Sequence, residues 1–379
     1  MVDTSKTGDL VSFVKALHMK GTPEKDISKA VGRFLEHKAR KERIPLIGTF
    51  ELTPYCNLDC KMCYVHLSRD KAEDNRLLDV ESWKNLIQQA YDAGMRQAKL
   101  TGGECLTYPG FEEIYLFLKE KKIRISLATN GVLLDKKHIQ FFMQYPPNAI
   151  QVSLYGGSED IYEAVTGHRC FEIVYKNLQE LSKSTLPISI AITPNYYNVN
   201  SMNQIFEIAD SLNIPYRINS LLLNPRNNTG RSLQDLSNED YVQIFRTWNE
   251  RKKNVLTPID PEDLPLESKE GSSNVGIRCG AGRSAFTILY NGKMCPCVSL
   301  DELIATPIVD GFVQAWKQVV DLADNYQNPA ECVDCVYRRT CLICPAAHKN
   351  SLKAGHCDTR ICKQTKEYIS AGIVPFLPA

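Results

Sequence analysis

Short apolar, β-branched runs alternate with longer amphipathic segments from about residue 46 to residue 222. In the longer segments, such as Val80 to Ala93 and Met202 to Leu212, apolar residues recur at helical spacing. This alternation predicts repeated βα units around a parallel sheet. The predicted strands are Ile47 to Thr53, Gln97 to Thr101, Arg124 to Thr129, Ala149 to Leu154, Ile188 to Thr193 and Tyr216 to Leu222.

The number of predicted strands narrows the architecture. Six βα units are too few to close an eight-stranded (β/α)8 barrel. The sequence therefore predicts an α/β fold, a partial (β/α)6 TIM-type barrel followed by a small cysteine-rich domain. In barrels of this type the loops after the strands converge at the carboxyl ends of the strands, where catalytic residues lie. Residues that directly follow a predicted strand are the first candidates for a functional site.

Segments outside the βα pattern divide the rest of the chain. At 379 residues the chain exceeds what one core usually supports, which favours domains of unequal size. Clusters of Pro, Gly and Ser flank one predicted helix from Asn238 to Lys252 and indicate a linker. The predicted divisions are an N-terminal helical segment at 1–45, the partial barrel at 46–222, the linker at 223–274, a cysteine-rich auxiliary domain at 275–368 and a tail at 369–379.

Charge and hydropathy exclude several classes of protein. The formal net charge of +1 gives no overall field that favours nucleic acid or an anionic membrane. No run approaches the roughly 20 apolar residues that span a bilayer, and the polar N-terminus lacks the apolar stretch of a signal peptide. We therefore expect a cytoplasmic protein without nucleic-acid or membrane partners. In that compartment, the 14 cysteines are expected to be metal ligands rather than disulfides.

The first group of cysteines follows the first predicted strand. Cys56, Cys60 and Cys63 have C-x3-C-x2-C spacing, and thiolates are the ligands that iron–sulfur clusters select. Three cysteines hold three corners of a cubic cluster and leave one iron open for a substrate or cofactor. A structural zinc site or chance spacing is the alternative, but zinc needs four ligands and no fourth Cys or well-placed His follows locally.

This loop resembles the cluster-binding loop of radical S-adenosyl-L-methionine (SAM) enzymes, a family with a partial barrel in which the open iron chelates SAM. The sequence Leu100-Thr-Gly-Gly-Glu104 after the second predicted strand is similar to the family's Gly-Gly-Glu motif. The resemblance implies that Gly102, Gly103 and Glu104 contact the amino group of SAM. Glycines at a strand end also let a ligand approach the backbone. A simple strand-to-helix turn is the alternative.

Further cofactor contacts follow from the same resemblance. It places Ser153, at the end of the fourth predicted strand, near the ribose of SAM, and Met62 against its adenine. Asn195, after the fifth strand, has a weaker claim of the same kind. Residues 129–131 stand at the end of the third predicted strand and are therefore expected at the same edge of the sheet. A turn role for Ser153 and core packing for Met62 are the alternatives.

A second group of cysteines lies in the predicted auxiliary domain. Its pattern is Gly-x4-Cys, then C-x2-C-x5-C-x2-C, then a last Cys before a helical segment. This resembles the SPASM extension, which carries two auxiliary 4Fe-4S clusters in many radical SAM enzymes. The resemblance implies three 4Fe-4S clusters in all, one of them binding SAM. The implied auxiliary ligands are Cys332, Cys335, Cys341 and Cys362 for an outer cluster and Cys279, Cys297 and Cys344 for an inner cluster.

Some details of the auxiliary domain depart from the SPASM pattern or stay open. Cys341 and Cys344 are separated by two residues, where the family usually has three. Cys295 is a candidate fourth ligand of the inner cluster, whose iron otherwise stays open, and Cys357 is a rival of Cys362. Two zinc ribbons are the alternative for this domain, because C-x2-C pairs suit zinc equally well.

Together the two resemblances imply an oxidoreductase that cleaves SAM to a 5'-deoxyadenosyl radical and modifies a peptide or protein. The implied partners are that substrate and an external electron donor such as flavodoxin or ferredoxin. Residues 1–45 are too few for the leader-peptide domain of many peptide-modifying relatives, so a separate leader-binding protein is a further candidate partner. We expect a crosslink or a similar modification of an unactivated carbon in a ribosomally made peptide.

Two other functions stay open. The nearer one is a sulfatase maturase, in which an acid typically occupies the positions of Tyr155 and Val298. General-base catalysis needs a titratable side chain, so Val298 weakens this alternative. The more distant one is a non-enzymatic electron carrier, which needs neither the Gly-Gly-Glu motif nor an open iron.

Three further side chains are candidates for roles at the site. Tyr155 is the candidate catalytic residue and is expected to line the substrate channel, because it stands next to the strand end at Ser153. Cys170 is a candidate hydrogen-atom donor for an epimerase-like reaction. Arg169 is an alternative partner of the SAM carboxylate.

Overall fold

The computed structural model describes most of the predicted barrel and parts of the segments around it. The described residues are 10–19, 21, 23–65, 77–219, 222, 236–251, 275–332, 335–337, 340–341, 344–348, 356 and 359–373. The strands are β1 (Ile47–Glu51), β2 (Gln97–Thr101), β3 (Arg124–Thr129), β4 (Ala149–Ser153), β5 (Ile188–Ile192), β6 (Tyr216–Ile218), β7 (Ala285–Ile288) and β8 (Met294–Cys295). The helices are α1 (Leu10–Met19), α2 (Glu24–Glu42), α3 (Val80–Asp92), α4 (Phe111–Glu120), α5 (Lys136–Gln144), α6 (Glu159–Thr166), α7 (Phe171–Ser182), α8 (Met202–Ser211), α9 (Asn238–Arg251), α10 (Pro307–Asp310), α11 (Phe312–Asp324), α12 (Pro345–His348) and α13 (Thr359–Ser370).

One sheet organises the described residues. Its strand order is β6-β5-β4-β3-β2-β1-β7-β8, and the pairs from β6 to β7 are all parallel. Only β7 and β8, within this sheet, pair antiparallel. The six predicted strands are present as one continuous parallel segment. The prediction of an α/β fold with a partial barrel is therefore confirmed.

The sheet extends beyond the six predicted strands. β7 pairs with β1 in parallel, from Ile47 opposite Ala285 to Phe50 opposite Ile288. Phe286 and Ile288 are fully buried and join Phe50 in the main hydrophobic core. The region after residue 275 thus adds strands to the barrel sheet, directly beside the strand that leads into the first cysteine group.

Helices begin where the sequence offers a capping side chain. Asp79, Asp135 and Ser158 each accept a hydrogen bond from the first turn of α3, α5 and α6, respectively. The helix predicted from residue 238 is confirmed as α9. None of the described helices has both the length and the apolar content that a membrane crossing requires.

The two faces of the sheet differ in chemistry. In β2, Ala98 and Leu100 are buried in the main core, while Lys99 between them is half-buried. β4 repeats this alternation around Gln151. The apolar face packs against helices such as α3, whose Trp83 is fully buried. The opposite, polar face is the inner face of the partial barrel.

The N-terminal helices are joined to the rest of the chain at the end of α2. Their own apolar contact includes Phe13 and Phe34, whose rings stack with centroids 4.9 Å apart. The Arg43 guanidinium donates to the Asp324 carboxylate at 2.9 and 3.1 Å. Trp316 Nε1 donates to the carbonyl of Arg43 at 2.7 Å. These bonds fix the end of α2 against α11.

Candidate active site at the carboxyl ends of the strands

The three thiols of the first cysteine group lie close together on the loop after β1. Burial, aided by the charges of Glu104 and Cys63, raises the pKa of the Cys56 thiol to about 12. Burial and the charges of Cys63 and Cys56 also raise the pKa of Cys60 well above its ordinary value. Buried thiols that repel one another as thiolates need a cation to ionise. Iron in a cluster supplies that charge, so the site fits an iron–sulfur cluster.

Two N–H groups donate hydrogen bonds to the sulfur of Cys56. The backbone N–H of Leu58 donates to Cys56 Sγ at 3.4 Å, and Nδ2 of Asn130 donates to the same sulfur at 3.5 Å. Asn130 Nδ2 also donates to Asn57 Oδ1 at 2.7 Å, which ties the end of β3 to the cysteine loop. Donors to sulfur stabilise the thiolate and tune the potential of a cluster. These contacts therefore suit Cys56 as a thiolate ligand.

Backbone hydrogen bonds to the end of α6 hold the cysteine loop. The backbone N–H groups of Asp59 and Lys61 donate to the carbonyls of Thr166 and Val165, each at 2.8 Å. Met62 is partly buried and packs against the main core. This packing agrees with the alternative stated for Met62, and its contact with adenine stays a prediction.

The glycine pair after β2 is required by the chain itself. A Cβ on Gly102 would lie 2.5 Å from the carbonyl oxygen of Thr53, and one on Gly103 would lie 2.3 Å from that of Tyr55. Across this contact Gly103 N donates to Thr53 O, and Glu104 N donates to Tyr55 O, each at 2.8 Å. The sequence suggested that a ligand approaches these glycines. In the structure, the start of the cysteine loop fills the space that a Cβ would occupy.

Replacement of Gly103 by Ala is therefore expected to lower the free energy of unfolding by about 3 kcal/mol, because backbone atoms cannot move away cheaply. Gly32→Ala is the matched control. Gly32 lies within α2 with nothing within 4 Å of an added Cβ, so this change should raise the free energy of unfolding by about 0.5–1 kcal/mol. Urea unfolding followed by circular dichroism measures both. Equal stability of the two variants would show that the close approach at Gly103 is not needed.

Glu104 joins the ends of β2 and β3. Its side chain is 1% exposed, and Oε1 accepts from Thr129 Oγ1 at 2.8 Å and from Leu106 N at 3.2 Å. Oε2 accepts from Asn130 N at 2.7 Å. Burial raises the pKa of Glu104, while these donors act in the opposite direction. Glu104 is thus a positioning residue for Asn130, and its contact with the amino group of SAM stays a prediction.

Tyr155 lies between β4 and the cysteine loop. Side-chain contact with Tyr155 lowers the pKa of Cys60, and contact with Ser153 lowers the pKa of Tyr155, each against the larger effect of burial. Its ring packs edge-on against Tyr162, with centroids 5.9 Å apart. The structure therefore brings Tyr155 and Ser153 to the first cysteine group. The expected place of Tyr155 in a substrate channel and its catalytic role stay predictions, as does the ribose contact of Ser153.

Asn195 and Asn198 build the loop after β5. Asn195 Oδ1 accepts from Tyr197 N at 3.0 Å, and Asn195 Nδ2 donates to Thr193 O at 3.1 Å. Asn198 is fully buried and donates from Nδ2 to the carbonyl of Tyr155 at 3.0 Å. Asn195 thus has a turn role, and a SAM contact for it stays a prediction. Sequence reasoning missed Asn198, although an Asn three residues after Asn195 is a turn signal.

Arg169 and Cys170 are engaged elsewhere. Arg169 Nη1 donates to Asp160 Oδ1 at 2.9 Å and to Glu163 Oε2 at 2.8 Å on the exposed side of α6. These ion pairs give no support to Arg169 as a partner of the SAM carboxylate. Cys170 is buried in the main core, and burial with the charge of Glu159 raises its pKa to about 11. This burial agrees with core packing, and a hydrogen-atom donor role for Cys170 stays a prediction.

Two of the thiols assigned to the inner cluster act on the third, Cys297. Burial and the charges of Cys279 and Cys344 raise the pKa of Cys297 to about 11. Ser299 N donates to Cys297 Sγ at 3.4 Å, which repeats the contact of Leu58 with Cys56. Cys295 is fully buried, and its sulfur donates to the carbonyl of Cys297 at 3.3 Å. The structure thus brings the three predicted residues together and directs Cys295 to the backbone.

The thiols assigned to the outer cluster also converge. Burial and the charges of Cys362, Cys332 and Cys335 raise the pKa of Cys341 to about 11. The structure therefore brings together the four residues that the SPASM resemblance implies. The rival Cys357 lies outside the described residues.

The donor atoms of the three thiol groups decide which cofactor they suit. Sulfur donors select soft metals and iron–sulfur clusters. Among the residues that the structure describes, no set of three His, Cys, Asp or Glu side chains is arranged to hold one metal ion. A cubic cluster instead offers a separate iron to each thiolate. The three groups fit clusters as donor sets, and the number of clusters stays a prediction.

Comparison with known proteins agrees with the motifs. Residues 50–211 match the family model of the Radical SAM superfamily. The chain is 25% identical over 257 residues to the sporulation killing factor maturation protein SkfB of Bacillus subtilis (strain 168), covering 67% of this chain and 60% of SkfB. It is 24% identical over 324 residues to the AdoMet-dependent heme synthase of Methanosarcina barkeri, covering 80% of this chain and 91% of that protein.

The fold is shared with a solved peptide complex. Streptococcus suis SuiB bound to precursor peptide SuiA superposes with a TM-score of 0.64 at 16% sequence identity, covering 93% of this chain and 88% of SuiB. At this identity the likeness establishes the fold.

Proposed function

Because the chain belongs to the radical SAM superfamily, we propose that it is a maturase that modifies a ribosomally made peptide by linking an unactivated carbon to a second residue. One observation carries the proposal: the three thiols after β1, one buried and two half-buried, lie beside the Glu104–Asn130 connection at the carboxyl edge of the sheet. Two similar proteins support a peptide substrate, since SkfB is a maturation protein and SuiB binds a precursor peptide.

The first cysteine group would hold a 4Fe-4S cluster and, on its open iron, SAM. When bound, this pair supplies reductive cleavage of SAM and hence abstraction of a hydrogen atom from the substrate. The chain orients the thiolates through fixed donors: Leu58 and Asn130 to Cys56, and Tyr155 to Cys60. Fixed donors in a buried site stabilise charge without reorganisation. An external donor such as flavodoxin or ferredoxin would supply the electron.

The inner and outer thiol groups would hold two auxiliary clusters. Their cysteines come from both ends of residues 279–362, so bound clusters would also cross-link and stabilise this part of the chain. Formation of a link removes one hydrogen atom from each of the two joined residues. The radical formed by SAM cleavage would take one of them as an atom and become 5'-deoxyadenosine, and the other would leave as a proton, with its electron accepted by a cluster that these thiols would hold. The reaction is thus an oxidation of the peptide, which makes the enzyme an oxidoreductase.

The product mass tests this function. We expect the enzyme, SAM and a reductant to convert a short precursor peptide encoded beside its gene into a product lighter by two hydrogens. One 5'-deoxyadenosine should be released for each link, because each link needs one hydrogen-atom abstraction. Mass spectrometry and chromatography of the same reaction measure both, and a reaction without SAM is the control.

Three results would each contradict the proposal and indicate another function. Unchanged peptide mass with deuterium taken up from solvent would indicate epimerisation. Conversion of a Cys or Ser sulfatase peptide to an aldehyde would indicate a sulfatase maturase and overturn the interpretation of Val298. Conversion of a porphyrin with no reaction of any peptide would indicate an activity like that in the name of the Methanosarcina barkeri protein.

A further inference from the structure

We propose that Lys99 and Arg217 form an anion subsite on the inner face of the partial barrel and that this subsite receives a carboxylate of the substrate. The inference rests on the peptide-modifying function proposed above and names a chemical group of its substrate. Neither residue belongs to a cysteine group or to the Gly-Gly-Glu motif.

The alternation along β2 places Lys99 on the inner face. Its neighbours Ala98 and Leu100 are buried in the core on the helix side of the sheet. In the sheet register, Lys99 stands between Thr49 of β1 and Ser126 of β3, and all three are half-buried. Lys99 thus has small hydroxyl side chains on both neighbouring strands.

Curvature of the sheet brings Arg217 towards Lys99. Arg217 lies on β6, four strands from β2. In a flat sheet that separation would be about 19 Å, too far for a strong effect between exposed charges. Nevertheless the charge of Arg217, together with burial, lowers the pKa of Lys99. Arg217 Nη2 also donates to Gln151 Oε1 on β4, two strands away. The register from β2 to β6 places Gln151 and Arg217 on the same face of the sheet as Lys99, so the two cations share the inner face.

Among the residues that the structure describes, no carboxylate is paired with Lys99 or Arg217. In the described part of the chain, the Lys99 ammonium makes no hydrogen bond or ion pair, and the charge acting on it is the like charge of Arg217. Arg217 is held by the neutral amide of Gln151. A carboxylate between the two cations would offset their repulsion and accept charge-assisted hydrogen bonds from both. Ser189, which is paired with Gln151 in the sheet, adds a hydroxyl beside them.

The depth of Lys99 separates this subsite from the SAM site. Lys99 precedes Thr101, the last residue of β2, by two positions, which is about 7 Å along the strand. The cysteine loop and Glu104 lie beyond that strand end. Lys99 is thus deeper in the barrel than the cysteine loop and Glu104. Its carboxylate would come from an acidic side chain of the peptide or from the C-terminus of the peptide.

Chemical labelling of Lys99 tests the subsite without turnover. The reconstituted full-length enzyme is treated with an amine-acylating reagent, and labelling of Lys99 is followed by peptide mass spectrometry. The probes are acetyl-Gly-Glu-Gly-amide, acetyl-Gly-Gln-Gly-amide and acetyl-Gly-Gln-Gly with a free C-terminus. Lys137, on the outer side of α5 and 77% exposed, is the internal control.

We expect a carboxylate probe to slow the labelling of Lys99 but not of Lys137. Protection by the glutamyl peptide alone identifies an acidic side chain, and protection by the free C-terminus identifies that carboxylate. Arg217→Gln should raise the half-protecting concentration by about tenfold, the effect of losing one charge-assisted hydrogen bond. Lys137→Met, made in the same way, should leave protection unchanged.

Two results would overturn the proposal. One is labelling of Lys99 that no carboxylate probe slows. The other is full protection by SAM alone, which would assign the cations to the cofactor. Since labelling needs no turnover, protection without peptide modification would count against the proposed function and not against the subsite.

Discussion

Simultaneous replacement of Cys56, Cys60 and Cys63 by Ala is expected to abolish SAM cleavage and to remove about a third of the bound iron. The charge of Cys63 acts on the pKa of both Cys56 and Cys60, so the three thiols lie close enough to offer three corners of one cube. If all three thiol groups hold cubes, the wild-type chain binds about twelve irons, and the variant keeps about eight. Iron assay and 5'-deoxyadenosine release after anaerobic reconstitution and reduction measure the two effects.

Cys170→Ala is the matched control for this variant. Cys170 is as buried as a cluster ligand but packs among apolar side chains of the core. Its loss should therefore leave the iron content unchanged. Stoichiometric zinc in wild-type protein purified without oxygen, or SAM cleavage by the triple variant, would contradict the assignment.

Glu104→Gln is expected to lower the free energy of unfolding by about 3 kcal/mol and to slow SAM cleavage by at least about tenfold. Thr129 Oγ1 donates to one oxygen of Glu104, and Asn130 N donates to the other. In either orientation of a glutamine amide, its NH2 group would therefore face one of these donors. Asn130 in turn donates to Cys56. Loss of one bond should thus both weaken the connection between β2 and β3 and shift a cluster ligand. Urea unfolding and 5'-deoxyadenosine release measure the two consequences.

The control for Glu104 is Glu113→Gln. The Glu113 side chain is 58% exposed and pairs with Lys84 on the surface, so its neutralisation should change stability by less than about 1 kcal/mol. If both variants unfold alike and cleave SAM at the wild-type rate, the Glu104 connection has no role in the site.

The parallel core of the fold could be predicted because its signals are local. The predicted bounds of β2 and β3 agree with the structure, since apolar alternation ends at Gly-Gly and at Asn-Gly. β1 ends earlier than predicted, at Glu51. The reason is that Thr53 leaves the ladder, and its Oγ1 accepts from Tyr55 N in a turn.

The added strand β7 could not be predicted in this way. It has only four residues, and a short apolar run does not specify which strand it will pair with. Its partner β1 lies more than 200 residues earlier in the chain. Pairing over such a separation depends on burial of Phe286 against Phe50, whose rings meet edge-on at 6.0 Å.

Within the candidate site, the spacing of the cysteines predicted where the thiols lie. No local sequence pattern predicted the contacts between different helices, strands and loops. The sequence placed Gly103 and Glu104 after a strand, yet only the structure shows that Gly103 packs against the Tyr55 carbonyl. The same holds for Asn130 at Cys56 and for Tyr155 at Cys60. These contacts join residues far apart in sequence, so motif spacing alone does not fix them.

Binding of SAM to an open iron is the central claim, and electron paramagnetic resonance of the reduced protein tests it most directly. The signal to follow is the component that disappears in the Cys56/Cys60/Cys63 alanine variant. Our account predicts that SAM shifts this component and leaves the signals of the auxiliary clusters in place, with 5'-deoxyadenosine formed in the same sample. A component that SAM does not change, together with absence of 5'-deoxyadenosine, would contradict it.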